Sequence, residues 1–163
     1  MNRPLISPSL LSANFANLQA DIEQINRSDA DWLHIDIMDG VFVPNISFGF
    51  PVLKYVAELS EKPLDVHLMI EKPERKLDTI IDAGADIITI HQESTTRLYS
   101  CIEKIKSRGV KAGVVLSPAT NEDTLKYVLD KIDMILLMTI NPGEAGPGFH
   151  EELLTKIKNV REL

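Results

Sequence analysis

Short apolar runs recur along the chain at Leu5–Ser7, Trp32–Asp36, Leu64–Leu68, Ile87–His91, Lys111–Leu116 and Met134–Ile140, with centres roughly 22 to 32 residues apart. Between them the spacing of apolar positions changes. Phe15, Leu18, Ile22 and Ile25 fall at i, i+3, i+7 and i+10, the period of one helix face. Val52-Val56-Leu59, Leu77-Ile80-Ile81, Leu98-Ile102-Ile105 and Leu125-Val128-Leu129 behave alike, and Leu153-Leu154-Ile157-Val160 forms the last such group. Punctuation agrees: Pro51 and Pro73 suit first helical turns, Asn121 suits a helix cap before Glu-Asp, and Gly84 and Gly109 suit helix ends. Strands alternating with helices predict βαβ units on a parallel sheet. The runs are nearly all apolar, as expected of strands covered on both faces.

Six such units leave two architectures open, an open doubly wound sheet and a (β/α)8 barrel of which about six units are present. A barrel takes about 250 residues, or 200 at the short end, so the 163 residues favour the open sheet by length alone. An echo between Ser28-Asp-Ala-Asp-Trp-Leu-His-Ile-Asp36 and Ala83-Gly-Ala-Asp-Ile-Ile-Thr-Ile-His91 supports internal repetition, and with no linker in view one domain over residues 1–163 is expected.

Composition narrows the function classes. A net charge of −7 argues against a broad nucleic-acid surface, while leaving room for a phosphorylated substrate at a local site. No apolar stretch approaches a membrane span and the N-terminus lacks a signal-peptide pattern, so a cytoplasmic protein with no membrane partner is expected. The single cysteine, Cys101, excludes an internal disulfide and reads as a packing thiol at helical spacing.

Polar residues decide between the architectures. Ser9, His34 and Asp36, His67, His91, Ser117 and Asn141-Pro142-Gly143 fall at or just after the C-terminal ends of successive predicted strands. Barrel enzymes build their sites on that face, whereas an open sheet uses fewer strands near one switch point. Neither GxGxxG nor a P-loop follows the first run. His34 and Asp36, two apart, project from one strand face, and His67 reaches the same point from the neighbouring strand. Two imidazoles and a carboxylate suit Zn²⁺, Mn²⁺ or Fe²⁺, so the trio reads as a cation site rather than three separately satisfied side chains. Asp65 has two readings, orienting the His67 ring or making a plain capping contact. His91 reads as a hydrogen-bonding or structural residue, and His150 as a surface residue at a helix start. Met38, Met69 and Met138, each at or just past a strand end, read as core filler on composition alone.

The segments Ser7-Pro-Ser-Leu-Leu-Ser-Ala-Asn-Phe15, His34-Ile-Asp-Ile-Met-Asp-Gly-Val-Phe-Val-Pro-Asn45, Asp65-Val-His-Leu-Met-Ile70 and Asn141-Pro-Gly143 closely resemble the ribulose-phosphate 3-epimerase family. The resemblance runs from about Leu5 onward; the His-Ile-Asp-Ile-Met-Asp-Gly block is highly specific and Asn-Pro-Gly alone is weak. It implies a TIM (β/α)8-type barrel and a metal-dependent isomerase interconverting D-ribulose 5-phosphate and D-xylulose 5-phosphate in the pentose phosphate pathway. It implies His34, Asp36 and His67 as metal ligands, with Asp36 also a catalytic acid/base. Ser9 and His67 would contact substrate, Met38, Met69 and Met138 would pack around the reacting carbons, and the Gly143–Gly146 loop would cover the ligand. Inverting C3 beside a carbonyl needs a proton removed from one face and returned to the other, hence two carboxylates.

Two departures qualify the resemblance. The family's second catalytic Asp, also a metal ligand, belongs to an Asp-Gly-Gly segment on strand seven, and its phosphate grip to loops after strands seven and eight; neither is present in the 163 residues. The loop after strand six reads Asn141-Pro-Gly-Glu-Ala-Gly-Pro147, with Glu144 in place of an aromatic. The expectation is therefore an epimerase portion that ends before the barrel closes. The alternatives are a hexulose-6-phosphate 3-epimerase and a non-catalytic remnant that binds metal or a partner. An unpaired sixth strand invites pairing with another chain, and a homo-oligomer is expected.

Overall fold

The computed structural model describes residues 3–144 and 150–163. Among them, five parallel strands form one sheet: β1 (Leu33–Met38), β2 (Leu64–Met69), β3 (Ile87–His91), β4 (Lys111–Leu116) and β5 (Met134–Leu137). Their spatial order is their chain order, β1-β2-β3-β4-β5. That order separates the two architectures. A doubly wound sheet reverses direction and so places helices on both faces. Right-handed crossovers that always step the same way place every helix on one face. Here α1 (Leu18–Asn26), α2 (Phe50–Leu59), α3 (Leu77–Asp82) and α4 (Leu98–Ser107) fill those crossovers, and α5 (Leu153–Glu162) follows β5. The arrangement is of TIM-barrel type.

One face of the sheet makes the core. Leu33, Ile35 and Ile37 of β1, Leu64, Val66 and Leu68 of β2, Ile88 and Ile90 of β3, and Ala112, Val114 and Leu116 of β4 pack with Ile22, Leu53, Val56, Ile80, Ile102 and Ile105 of the helices. The opposite face carries the intervening residues, and the register aligns them: His34 beside Asp65, Asp36 beside His67, Met38 beside Met69. The strands therefore alternate, in contrast to the near-continuous apolar reading. Helices cover one face, and polar groups and methionines line the other. At the centre of the sheet Gly113 lies between Thr89 and Met134, where a Cβ would sit 2.7 Å from the Thr89 methyl and 3.0 Å from the Met134 carbonyl oxygen.

The Ala-Asp echo has a structural cause. Asp31, Asp86 and Asp133 each precede a strand and accept a backbone N–H from the chain alongside: Ile6 at 2.8 Å, Leu64 at 2.8 Å and Ala112 at 2.9 Å. Each carboxylate ties the start of one repeat to its predecessor.

Two expected elements differ. Leu5–Ser7 is not a strand but an extended segment beside β1, where Ile6 and Pro8 carbonyls accept N–H groups from Asp31, Trp32 and His34 and Ser9 forms a single parallel bridge with His34. Pro4 and Pro8 have no N–H to return, so the ladder stays one-sided. The segment around Leu125-Val128-Leu129 is not an α-helix but two 3₁₀ turns, Glu122–Leu125 and Leu129–Lys131, the first capped by Asn121 at 2.7 Å. Its buried residues, Leu125 and Val128, are three apart, and a 3₁₀ turn stacks i and i+3 as well as an α-helix does. Pro51 and Pro73 open their elements, and α3 and α4 end at Gly84 and Gly109, as expected. Cys101 is a buried core thiol and His150 is exposed.

Candidate metal centre

β1 and β2 carry the centre. Because their register sets Asp36 beside His67, three side chains meet above the sheet face. Asp36 Oδ1 lies 3.1 Å from His34 Nε2 and 3.0 Å from His67 Nδ1, and one ligand atom from each residue falls within 4.8 Å of the others. Zn–N and Zn–O bonds of about 2.0–2.2 Å place neighbouring ligand atoms about 3 Å apart or slightly more, and the two separations from Asp36 Oδ1 fit a divalent cation. All three side chains are largely buried, which makes the donor set worth holding only if its charges are matched. Two imidazoles and one carboxylate suit zinc, manganese or ferrous iron without selecting among them.

Neighbouring groups set the protonation of each donor. Burial alone would pull the His34 pKa down, but hydrogen bonds with Asp36 and Asp65 raise it to about 10. Burial would raise Asp36, yet the neighbouring His34 and the Ser9 hydroxyl hold its carboxyl far below the usual carboxylate range. Burial keeps His67 below its ordinary value despite Asp36, so this ring stays neutral. Ser9 Oγ donates to Asp36 Oδ2 at 2.7 Å, which leaves Oδ1 to the histidines.

Asp65 is corrected in its partner. It accepts from His34 Nδ1 at 2.7 Å rather than orienting His67, because the register pairs Asp65 with His34 across the strands. His67 is instead braced by His91, their Nε2 atoms 2.9 Å apart. Met38 and Met69 end β1 and β2 side by side, and Met138 follows β5 with its N–H on the Leu116 carbonyl at 3.0 Å. Gly143, in the loop after β5, packs on the loop after β1: its carbonyl accepts from Asn45 Nδ2 at 2.7 Å, and at φ +80° a Cβ there would meet Val43 Cβ at 2.8 Å. Gly146 lies outside the described residues.

Residue-by-residue reading missed Asp39 and Phe42. Asp39 Oδ1 accepts N–H groups of Val41 and Phe42, and Oδ2 accepts that of Glu71, which joins the loops after β1 and β2. The Phe42 ring packs against that of His91, their centroids 4.8 Å apart. The Asp39-Gly40 pair was the available signal, since Asp-Gly marks a turn.

The fold and the site together define a class, the α/β proteins of TIM-barrel type with a cation-sized His/Asp site on the polar face of the sheet. Structural comparison agrees at the level of fold: a tryptophan synthase α-subunit from Pyrococcus furiosus superposes with a TM-score of 0.66 at 14% identity, over 96% of this chain and 73% of that one. Sequence comparison gives the family, because the ribulose-phosphate 3 epimerase family model matches residues 5–163. The chain belongs to the ribulose-phosphate 3-epimerase family. It is 46% identical to the ribulose-phosphate 3-epimerase of Bacillus subtilis over 97% of this chain and 73% of that protein. It is 45% identical to the chloroplastic ribulose-5-phosphate-3-epimerase of Arabidopsis thaliana over 98% of this chain, which spans 57% of that relative's length.

Proposed function

We propose that the chain provides the metal-holding, single-base portion of an isomerase that epimerises D-ribulose 5-phosphate and D-xylulose 5-phosphate at C3, a step of the pentose phosphate pathway. The observation that carries this reading is the convergence of His34 Nε2, Asp36 Oδ1 and His67 Nδ1 on one cation-sized spot, in a chain of this family. His34, Asp36 and His67 would hold a zinc, manganese or ferrous ion, which would supply positive charge to stabilise electron density on the substrate oxygens. Asp36 takes that proton. Ser9, hydrogen-bonded to Asp36 Oδ2, orients the carboxylate and touches substrate beside it. Met38, Met69 and Met138 offer thioether surface around the reacting carbons with no competing proton, and Gly143, with Gly146, belongs to the loop over the ligand. Returning a proton to the opposite face requires a second acid, which the resemblance assigns to an Asp-Gly-Gly segment that the 163 residues do not contain. One barrel unit over residues 1–163, a cytoplasmic location and a homo-oligomer complete the reading.

Deuterium wash-in tests it. The protein, incubated in D₂O with ribulose 5-phosphate and Zn²⁺, Mn²⁺ or Fe²⁺, is expected to exchange the C3 hydrogen, as followed by proton NMR. No exchange above the protein-free rate with any of the three cations would remove Asp36 from the base role.

A further inference from the structure

Behind the proposed ligands lies a buried polar chain that the reaction does not use directly. His91 is fully buried and His67 is 1% exposed, and their Nε2 atoms meet at 2.9 Å. His91 Nδ1 lies 3.1 Å from Glu93 Oε2. The other oxygen, Glu93 Oε1, accepts the Ser117 N–H at 2.8 Å and the Thr120 hydroxyl. Lys156, from α5, closes the arrangement by donating to the Ser117 and Pro118 carbonyls at 2.7 and 3.2 Å.

The donor and acceptor roles along this chain have one consistent assignment for neutral rings. An ionised carboxylate only accepts hydrogen bonds, so the proton between Glu93 and His91 sits on His91 Nδ1. Ser117 Oγ, 3.5 Å from that nitrogen, is too distant to take it. A neutral His91 then has its lone pair on Nε2, and the 2.9 Å contact requires His67 Nε2 to be the donor. A neutral His67 is left with its lone pair on Nδ1, which points at Asp36 Oδ1 from 3.0 Å. Two lone pairs facing each other in a buried site repel unless a cation lies between them.

We infer that Glu93 and His91 are positioning residues that fix the tautomer of His67, so that its Nδ1 lone pair is presented to a divalent cation. The inference rests on the cation reading of the site. The direction of the chain is set by a carboxylate outside the proposed ligand trio: Glu93 orders His91, His91 orders His67, and Lys156 holds the loop whose N–H fixes Glu93. A Gln at position 93 would remove this direction, because its amide offers a donor as readily as an acceptor.

Two measurements test it. In the Zn²⁺-loaded wild-type protein, long-range ¹H–¹⁵N spectra of the histidine side chains are expected to show His91 protonated on Nδ1, with a pyridine-like Nε2. Glu93→Gln is expected to bind Zn²⁺ about 10- to 100-fold more weakly in a chelator competition. A His91 protonated on Nε2, or a Glu93→Gln protein that folds and binds Zn²⁺ within about twofold of wild type, overturns the inference and leaves the cation reading intact. A wild-type protein that takes up no Zn²⁺ overturns the cation reading and this inference with it. Should Glu93→Gln fail to fold, the wild-type spectrum decides alone.

Discussion

At the scale of single residues, Asp36 carries two tasks through its two oxygens. Oδ1 faces the imidazoles of His34 and His67, and Oδ2 takes the Ser9 hydroxyl. Asp36→Asn keeps the size but loses the charge, and is expected to slow C3 hydrogen exchange by about 10²–10⁴-fold, as followed by proton NMR in D₂O. His34 gives a pH dependence with a definite sign. Its two ring nitrogens face the carboxylates of Asp65 and Asp36, which raise its pKa to about 10. Binding a cation through Nε2 therefore expels a proton at neutral pH, and metal ligands must be deprotonated to bind. Zn²⁺ affinity should rise about tenfold per pH unit from about pH 6 to 9 and level off near 10; calorimetry in two buffers of different ionisation enthalpy counts the proton released. The residues of this centre were legible in the sequence because spacing of two on a strand puts His34 and Asp36 on one face. The partner of Asp65 was not legible. Two residues on one strand, Asp65 and His67, look like neighbours in sequence, and only the register across β1 and β2 shows that Asp65 belongs to His34.

At the scale of elements, the repeated acid before each strand does more than end a helix. Asp86 Oδ2 satisfies the N–H of Leu64, the first residue of a fully buried strand. Asp86→Ala strands that donor and is expected to destabilise the protein by about 1–3 kcal/mol in urea unfolding. Gly113 is required for a different reason. Its neighbours across the sheet leave no room for a methyl group, so Gly113→Ala is expected to cost about 1–3 kcal/mol through overpacking between Thr89 and Met134. Sequence periodicity located β1 to β5 and α1 to α5, because a face that meets the core must repeat its apolar residues. It failed where backbone chemistry or length overrode that signal. At Leu5–Ser7 two prolines withhold donors from a ladder, and between Asn121 and Lys131 a pair of buried residues three apart is served by 3₁₀ turns.

At the scale of the whole molecule, the sequential strand order puts the helices and the hydrophobic core on one side and the histidines, carboxylates and methionines on the other. Among the described residues no helix is long and apolar enough to cross a membrane. A ligand that binds this polar face only when it is folded must stabilise the fold by mass action. Zn²⁺ at a hundred times its dissociation constant adds about 2.7 kcal/mol, which corresponds to a rise in Tm of about 5–10 °C for a chain of this size. Scanning calorimetry with and without a chelator measures it. By itself the sequence determined the alternation of strands and helices, the family to which the His34–Asn45 block belongs, and the three candidate donors, since each depends on residue identity at short spacing. The tertiary structure decided the rest. Strand order chose the barrel type over the doubly wound sheet, register assigned Asp65 to His34, and packing through β3 brought His91 and Glu93 behind His67. Those pairings join residues 24 to 31 positions apart, a distance over which local periodicity carries no information and only hydrogen-bonded register does.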